Sequence, residues 1–558
     1  MTNQSKVDYN SSENTGNSVS TFGWDTAYVA PYTVINHAIQ VQKSFPHSFN
    51  YIDDSTGIRL RGAWFTWQLC VGGAGQNVQM ECRVKNGTVL TGGQGYSLDN
   101  ARLVIQVNLK SVAAFDPINS TTARGGSSEV LVVDTDAHGN DPAVAVISGT
   151  YPSTIPSLVR AALNQLFAGY FNTHLKDFNH TFAVMDINTV ANRDDFQWLR
   201  PTAFQYAVAS PESPTLANSA FGLIAMVNGN AIAPYQQQAV DSRALDKLPP
   251  GANSAFVISQ SMVAKHMLMQ GAIATIQNSS ARDFELSSDG LSVVNSRDIV
   301  WGKFKTDHGV ISPLIKKGNF TLRTDDTYVL VEIVNAVYEN SPGITVHMNL
   351  TQKFTYKTVR KKNGEWIFIP DMTDLGQPEV TATVSVAEGL KIAEIVIGAV
   401  AILASLVCVG AAIAGRVAAT ATYSVSESSA TADVILRYVR GSIVDIEGAL
   451  EEAAVSAAAG GVQSGGVCSV NMVRNIAGMT AAITGAAAGS MMAAKAITSL
   501  SYDHIPAFDD FAANCLEGTL WPATRGYALK SASFRDSLVL NIDLDLEQES
   551  IPEISMKR

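Results

Sequence analysis

Charge is scarce in this sequence. Only 16% of its 558 residues are Asp, Glu, Lys or Arg, against about 25% in an average globular protein. Much of the surface must therefore be built from Ser, Thr, Asn and Gln. The 39 Lys and Arg against 50 Asp and Glu leave a net charge of −11. That balance argues against a general polyanion binder, because phosphate binding needs clustered cations, and no nucleic acid partner is expected. Cysteine is sparse too. Cys70, Cys82, Cys408, Cys468 and Cys515 are odd in number and widely spaced, with no CxxC pair. A thiolate zinc site is thereby disfavoured, and free buried thiols are the plainer reading. The 42 Gly and 19 Pro are too few for a collagen-like or low-complexity chain. Met1 to Ser20 is rich in Asn and Ser without an apolar core segment, so it reads as a disordered leader and not as a secretory signal peptide. Synthesis in the cytoplasm is expected, with any release by a route other than Sec.

What is present falls into three textures. From Phe22 to about Pro378 strand-like patterns dominate. Leu103, Ile105, Val107 and Leu109 alternate with Val104, Gln106, Asn108 and Lys110, the signature of a half-buried strand. Ile344, Val346, Met348 and Leu350 alternate in the same way, after the turn Asn340-Ser-Pro-Gly343. Asn363-Gly364 reads as a type I′ hairpin turn, so segments 327–338, 344–358 and 365–369 are expected to form an antiparallel meander. Two helices stand out. Pro31 fits a first helical position ahead of the stripe Val34, Ile35, Ala38 and Ile39. A second helix is expected from Ser153, with Ile155, Leu158, Val159, Ala162, Leu163, Leu166, Phe167 and Tyr170 at helical spacing.

The texture changes between Ser385 and Leu500, where 116 residues hold 28 Ala, 14 charges and no Pro. Ile395–Gly415 and Asn475–Ala494 carry no charge at all. The segment is expected to be helical, packed in solution on the rest of the chain. Strand character returns after Tyr502, with Leu538, Leu540, Ile542, Leu544 and Leu546 on one face and a largely acidic face opposite.

Catalytic constellations are thin. The chain has no HExxH, GxSxG or Walker loop, and it is read as a non-enzyme without cofactor or metal. Gly72, Gly73 and Gly75 have the wrong spacing for a dinucleotide fingerprint and read as a bulge or tight turn. Asp134-Thr-Asp136-Ala-His138-Gly139 opens like a calcium loop, but its third ligand position is His and its twelfth is Ala145. A solvated turn is the better reading. The apolar features are stronger. Trp24, Trp64, Trp67, Trp198, Trp301, Trp366 and Trp521 read as core or rim aromatics, and curved sheets wrapped on apolar helices can also enclose a cavity for an acyl chain. Lys316-Lys317 and Arg360-Lys-Lys362 are the basic runs available for headgroups.

Phe22-Gly-Trp-Asp25, Ala27-Tyr28 and Val34-Ile-Asn36 resemble the opening of the clostridial family encoded in botulinum neurotoxin orfX-type gene clusters, which comprises the forty-seven-kilodalton protein and its OrfX relatives. Trp67-Gln68 with Gly72-Gly-Ala-Gly75, Trp198-Leu-Arg-Pro-Thr202, Phe256-Val-Ile-Ser259, Asn514-Cys-Leu516 with Trp521-Pro522, and Leu529-Lys-Ser-Ala532 continue it in order. The resemblance implies an α+β, TULIP-like fold, in which highly curved antiparallel sheets wrap around long helices. It also implies a non-enzymatic, toxin-associated role, in insecticidal activity or toxin delivery. On this reading residues 1–20 are a disordered leader, 21–205 and 206–380 two TULIP-like halves, 381–500 an Ala/Gly-rich helical segment and 501–558 the closing strands of the second half and a tail. Lipid-binding residues are expected at Trp24, Ile35, Leu158, Leu166 and Phe167. Expected partners are a lipid or other apolar ligand, a toxin or other cluster-encoded protein, and a membrane surface. The alternatives are a membrane-inserting or pore-forming toxin subunit using 386–500, and a chaperone-like partner of a toxin.

Overall fold

The computed structural model describes residues 17–114, 127–136, 141–188, 194–276, 279–301, 304–306, 309–371, 379–386, 418–425, 431–439 and 507–548. They form an α+β protein made mainly of antiparallel sheets with a few helices. Two compact units emerge. The first takes Ser20–Ile258, Asp510–Ser531 and Val539–Arg558, and the second takes Met1–Val19, Ser259–Asp509 and Ala532–Leu538. The boundary therefore falls at 258/259 and not at the expected 205/206, and the closing strands belong largely to the first unit. Long-range pairing is the cause, because it gathers strands that local patterns cannot connect.

In chain order the first unit contains β1 (Thr26–Pro31), α1 (Tyr32–Gln42), β2 (Ser48–Asp53), β3 (Ile58–Leu69), β4 (Val78–Thr91), β5 (Gln94–Ser97), β6 (Arg102–Val107), β7 (Leu109–Ala113), β8 (Ser127–Val133), β9 (Val144–Thr150), α2 (Ser157–His174), β10 (Thr181–Ile187), β11 (Pro201–Ala209), β12 (Ala220–Val227) and β13 (Ser254–Ile258). β1 is buried along its whole length. It pairs with β12 on one side and β13 on the other, so residues some 200 positions apart meet, as in Thr26 opposite Ala225. β2, β3, β4, β6 and β9 form a second sheet with β5 folded onto β4, and β7, β8 and β10 belong to a third. Pro31 ends β1 and caps α1, which starts one residue later than expected; its own backbone is still in the ladder opposite Ala220. Val34, Ile35, Ala38 and Ile39 are buried as their spacing predicts. Asn36 closes the free edge of β3, donating through Nδ2 to the Leu69 carbonyl (3.0 Å) and accepting at Oδ1 from the Leu69 amide (2.6 Å). Strands 102–107 and 537–546 bury their apolar face as read from alternation.

α2 begins at Ser157, after Pro156, and not at Ser153. Its buried face is Leu163, Leu166, Phe167, Tyr170 and Phe171. Leu158 is the exception, at 83% exposure. At about 100° per residue the nine positions between Leu158 and Phe167 put their side chains about 180° apart, so the broad apolar stripe overran one helix face.

In the second unit, strands 284–286, 292–295, 320–325, 328–341, 344–360, 379–386, 431–439 and 418–425 succeed one another across a single antiparallel sheet, with 366–371 added to 344–360. The expected meander is present. Ser341 pairs with Ile344 across Pro342-Gly343, where Gly343 has φ 82°, a conformation that suits glycine. The Asn363-Gly364 turn differs from the expected type I′. Only Gly364 is left-handed, at φ 96°. The Lys361 amide donates to the Glu365 carbonyl and the Gly364 amide to that of Lys361, a longer loop closed by a glycine bulge. A helix over 260–275 contains a π turn, Ala264–Leu268, which packs on strands 292–295 and 320–325. Residues 418–425 and 431–439 are strands, not helix. Their Thr, Tyr, Val and Ile content suits a pleated surface, and strand 431–439 pairs with 379–386. The charge-free stretches 395–415 and 475–494 lie outside the described residues.

Candidate functional site

The interior expected to hold an apolar ligand is built where α2 meets the sheet of β2, β3 and β9. Phe167 has no exposed surface. Its ring lies 5.8 Å from Phe49, 6.0 Å from Trp64, 6.2 Å from Phe171 and 6.3 Å from Tyr151. Trp64 stacks on Phe171 at 5.7 Å and donates its indole N–H to the Tyr170 hydroxyl (3.3 Å). The ring contacts continue from Trp67 to Phe178 (5.3 Å), His180 (6.0 Å from Phe178) and Phe182 (4.9 Å from His180). From Phe182 they pass to Phe221 (5.7 Å), Trp521 (6.1 Å) and Tyr28 (5.3 Å). A single aromatic band thus runs through the first unit. Each well-oriented pair contributes about 0.5–1.5 kcal/mol beyond its area burial.

Three ring nitrogens of this band, Trp67 Nε1, His180 Nε2 and Trp521 Nε1, are buried without a hydrogen-bond partner among the described residues, and the first two lie beside the interior under α2. The other imidazole nitrogen, Nδ1, is 2.8 Å from the buried Ser44 hydroxyl. Burial pulls the His180 pKa down to about 3, so the ring is neutral at physiological pH. An unpaired buried donor or acceptor costs about 1–3 kcal/mol. These atoms are where a polar group of a bound molecule would be accommodated.

The expected ligand residues separate into three groups. Leu166 and Phe167 share the buried face of α2. Ile35 is buried on α1, and Trp24, 1% exposed, donates its indole N–H to the Gln237 carbonyl (2.7 Å) without joining the aromatic band. Leu158 is exposed and belongs to no interior; Leu158→Ala is expected to shift stability by less than about 0.5 kcal/mol in chemical denaturation. Phe49, Phe171 and His180 were not among the expected ligand residues, and Tyr170 was expected only as part of the apolar stripe of α2. Phe178-x-His180-x-Phe182 was the available signal, since alternate residues of an extended segment share a face.

The other sequence candidates resolve more simply. Lys110 pairs with both Asp134 (3.0 Å) and Asp136 (2.5 Å), which occupies the two carboxylates of the calcium-like turn; His138 lies outside the described residues. Lys316 is matched by Asp298, Lys317 by Glu285 and Lys361 by Glu365, while Arg360 lies over the Trp366 ring. The basic runs are thus largely neutralised locally. Gly72 and Gly75 take left-handed φ values of 113° and 61° in the turn between β3 and β4, and the Gly75 backbone exchanges hydrogen bonds with Val208. Cys70, Cys82 and Cys515 are free thiols, and burial pushes the Cys70 thiol up to about 12. Among the described residues no three His, Cys, Asp or Glu side chains cluster as metal ligands, and no helix is long and apolar enough to cross a membrane.

An antiparallel α+β protein with an aromatic-lined helix-on-sheet interior is the class that the fold and site define. The chain belongs to the OrfX-like family, described as Protein OrfX2/OrfX3/P47, whose profile matches residues 21–464. It is 26% identical over 288 residues to Protein OrfX3 of Clostridium botulinum (strain Kyoto / Type A2), a match covering 48% of this chain and 57% of that protein. It is 25% identical over 462 residues to Protein OrfX3 of Paraclostridium bifermentans, covering 75% of this chain and 89% of the relative. The match to the first relative therefore spans little more than half of that protein's length. Among solved structures, P47 from Clostridium botulinum A2 aligns over 68% of this chain and 85% of its own, with 15% identity and a TM-score of 0.46.

Proposed function

We propose that this chain is a non-enzymatic lipid- or amphiphile-binding protein with a TULIP-like architecture, acting beside a bacterial toxin encoded in the same gene cluster. The observation that carries the reading is the interior of the first unit. There a helix buries only Leu, Phe and Tyr side chains against a sheet lined with aromatics, and Trp67 Nε1 and His180 Nε2 are left without partners among the described residues. An acyl chain exchanging places with part of α2 would find apolar walls, and a hydroxyl or carbonyl at its head would find the Trp67 indole donor and an imidazole nitrogen that donates or accepts according to its tautomer. Membership of the OrfX-like family supports the toxin association. Affinity in such a site should follow chain length, since each CH₂ buried contributes about 0.8 kcal/mol.

The test is native mass spectrometry and solvent extraction of protein purified without detergent. Bound lipid is expected, as is uptake of a fluorescent fatty acid whose affinity rises with acyl length and barely responds to salt. Protein that carries no lipid and takes up none, or whose binding ignores chain length, would sink the reading.

A further inference from the structure

The side of the β2–β3–β4–β6 sheet that faces solvent has a composition unlike the rest of this acidic chain. Its strands β2, β3, β4, β5, β6 and β9 contain five cations, Arg59, Arg61, Arg83, Lys85 and Arg102, and two acids, Asp53 and Glu81. Away from the register shifts in the β3–β4 ladder, side chains alternate between core and solvent. Leu60, Trp64, Cys82, Val84 and Leu103 point into the core and are buried, while Arg59, Arg61, Lys85 and Arg102 are exposed. Arg83 is paired with Glu81, and Arg59, Arg61, Lys85 and Arg102 form no ion pair among the described residues. Register brings the charges together: Arg83, already paired with Glu81, stands directly opposite Arg102, so Glu81 is the one strand acid set against two facing guanidinium groups. Besides Glu81, the acids nearest in sequence are Asp53 at the last position of β2 and Asp54 and Asp99 in turns.

Apolar groups sit among these cations. The β3–β4 ladder shifts register twice, between Ala63 and Trp64 and between Trp64 and Thr66. The residues left without partners are Lys85 on β4 and Phe65 on β3, and both turn outward. Phe65 is 62% exposed, and Ile52, opposite Arg59, is 43% exposed. Bulges of this kind re-aim side chains and recur beside functional sites. An exposed phenyl ring on a face that also carries Lys85 and the guanidinium groups of β3, β4 and β6 suits neither a core nor a purely aqueous surface.

We infer that this sheet face docks on an anionic phospholipid membrane, its cations meeting headgroup phosphates and carboxylates while Phe65 and Ile52 enter the boundary of the acyl region. Charge complementarity selects the occupant, because unpaired cations are attracted to an anionic leaflet and exposed apolar side chains add the shallow burial that interfacial binding needs. A soluble polyanion would use the cations and leave Phe65 in water. The inference is independent of the interior site, since none of these side chains faces it.

Cosedimentation of the full chain with phosphatidylcholine vesicles, with and without about 30% phosphatidylserine, tests it. Binding is expected only to the anionic vesicles, and it should weaken at least tenfold between about 0.1 and 0.5 M salt. The triple substitution Arg61→Gln, Lys85→Gln, Arg102→Gln should reduce affinity about a hundredfold, with circular dichroism unchanged because the three side chains are exposed. Phe65→Ser should weaken vesicle binding several-fold and leave binding to heparin untouched. Equal binding to neutral vesicles, a triple variant that binds like the parent, or binding to heparin without binding to vesicles would overturn the inference.

Discussion

Phe167→Ala is expected to destabilise the first unit by about 3–5 kcal/mol. The side chain has no exposed surface, and four rings surround it. Removing it deletes the transfer free energy of a phenyl group and leaves a hole that a rigid sheet on one side and a helix on the other cannot close. The edge-to-face contact with Phe49 and the stack with Tyr151 are lost as well. Two compact units make a single two-state analysis unsafe, so the measurement should be local. Hydrogen exchange of α2, β2 and β3 should accelerate together in the variant, while amides of strands 328–341 and 344–360 keep their protection. Leu158→Ala is the matched control on the same helix. A loss below about 1 kcal/mol for Phe167→Ala would mean that the helix does not pack on the sheet as described.

What the chain's local patterns reveal is bounded by what is local in its physics. Strands 102–107 and 537–546 and the meander from 328 to 371 were readable because period-two burial is written into adjacent residues. The stripe of α1 was readable for the same reason. Leu158 was misplaced because an apolar stripe counted generously wraps more than one helix face. The strands 418–425 and 431–439 were read as helix because alanine dominates the stretches around them. Strand pairing sets 431–439 beside 379–386 and 418–425 beside 431–439. Nor could local reading find the unit boundary, since the partners of β1 lie some 200 residues downstream. The basic face was missed for a related reason. Arg59-x-Arg61, Arg83-x-Lys85 and Arg102 are not a run, and become a patch only when three strands are laid in register. The runs that were visible, Lys316-Lys317 and Arg360-Lys-Lys362, are largely neutralised within their own turns.

Lowering the pH from 6.5 to 5.0 is expected to cost the first unit about 2 kcal/mol through His180 alone. In the unfolded chain an imidazole has a pKa of about 6.5, whereas burial among Phe178, Phe182 and the Ser44 hydroxyl pulls His180 down to about 3. Below pH 6.5 the unfolded chain therefore binds a proton that the folded chain refuses. The stability held by the neutral ring is complete above about pH 6.5 and falls by about 1.4 kcal/mol per unit until the folded pKa is reached. Carboxylates act in a different window. Asp283 and Asp289, held low by hydrogen bonds and ion pairs, surrender their contribution only below about pH 4. The interval from 6.5 to 5.0 thus isolates histidine. His266, pulled down to about 4 by its burial and by Lys265, adds a loss of the same sign in the second unit, so the reading must again come from hydrogen exchange of α2 and β10. His180→Gln removes the titration while keeping an amide that can face Ser44. The variant should be less stable than the parent at pH 7.5 by about 1–3 kcal/mol, yet lose about 2 kcal/mol less than the parent on acidification to pH 5.0. Parallel pH profiles for the two proteins would show that the imidazole is not held neutral by this aromatic interior. They would also remove the argument that its free Nε2 stands ready for a ligand's polar group.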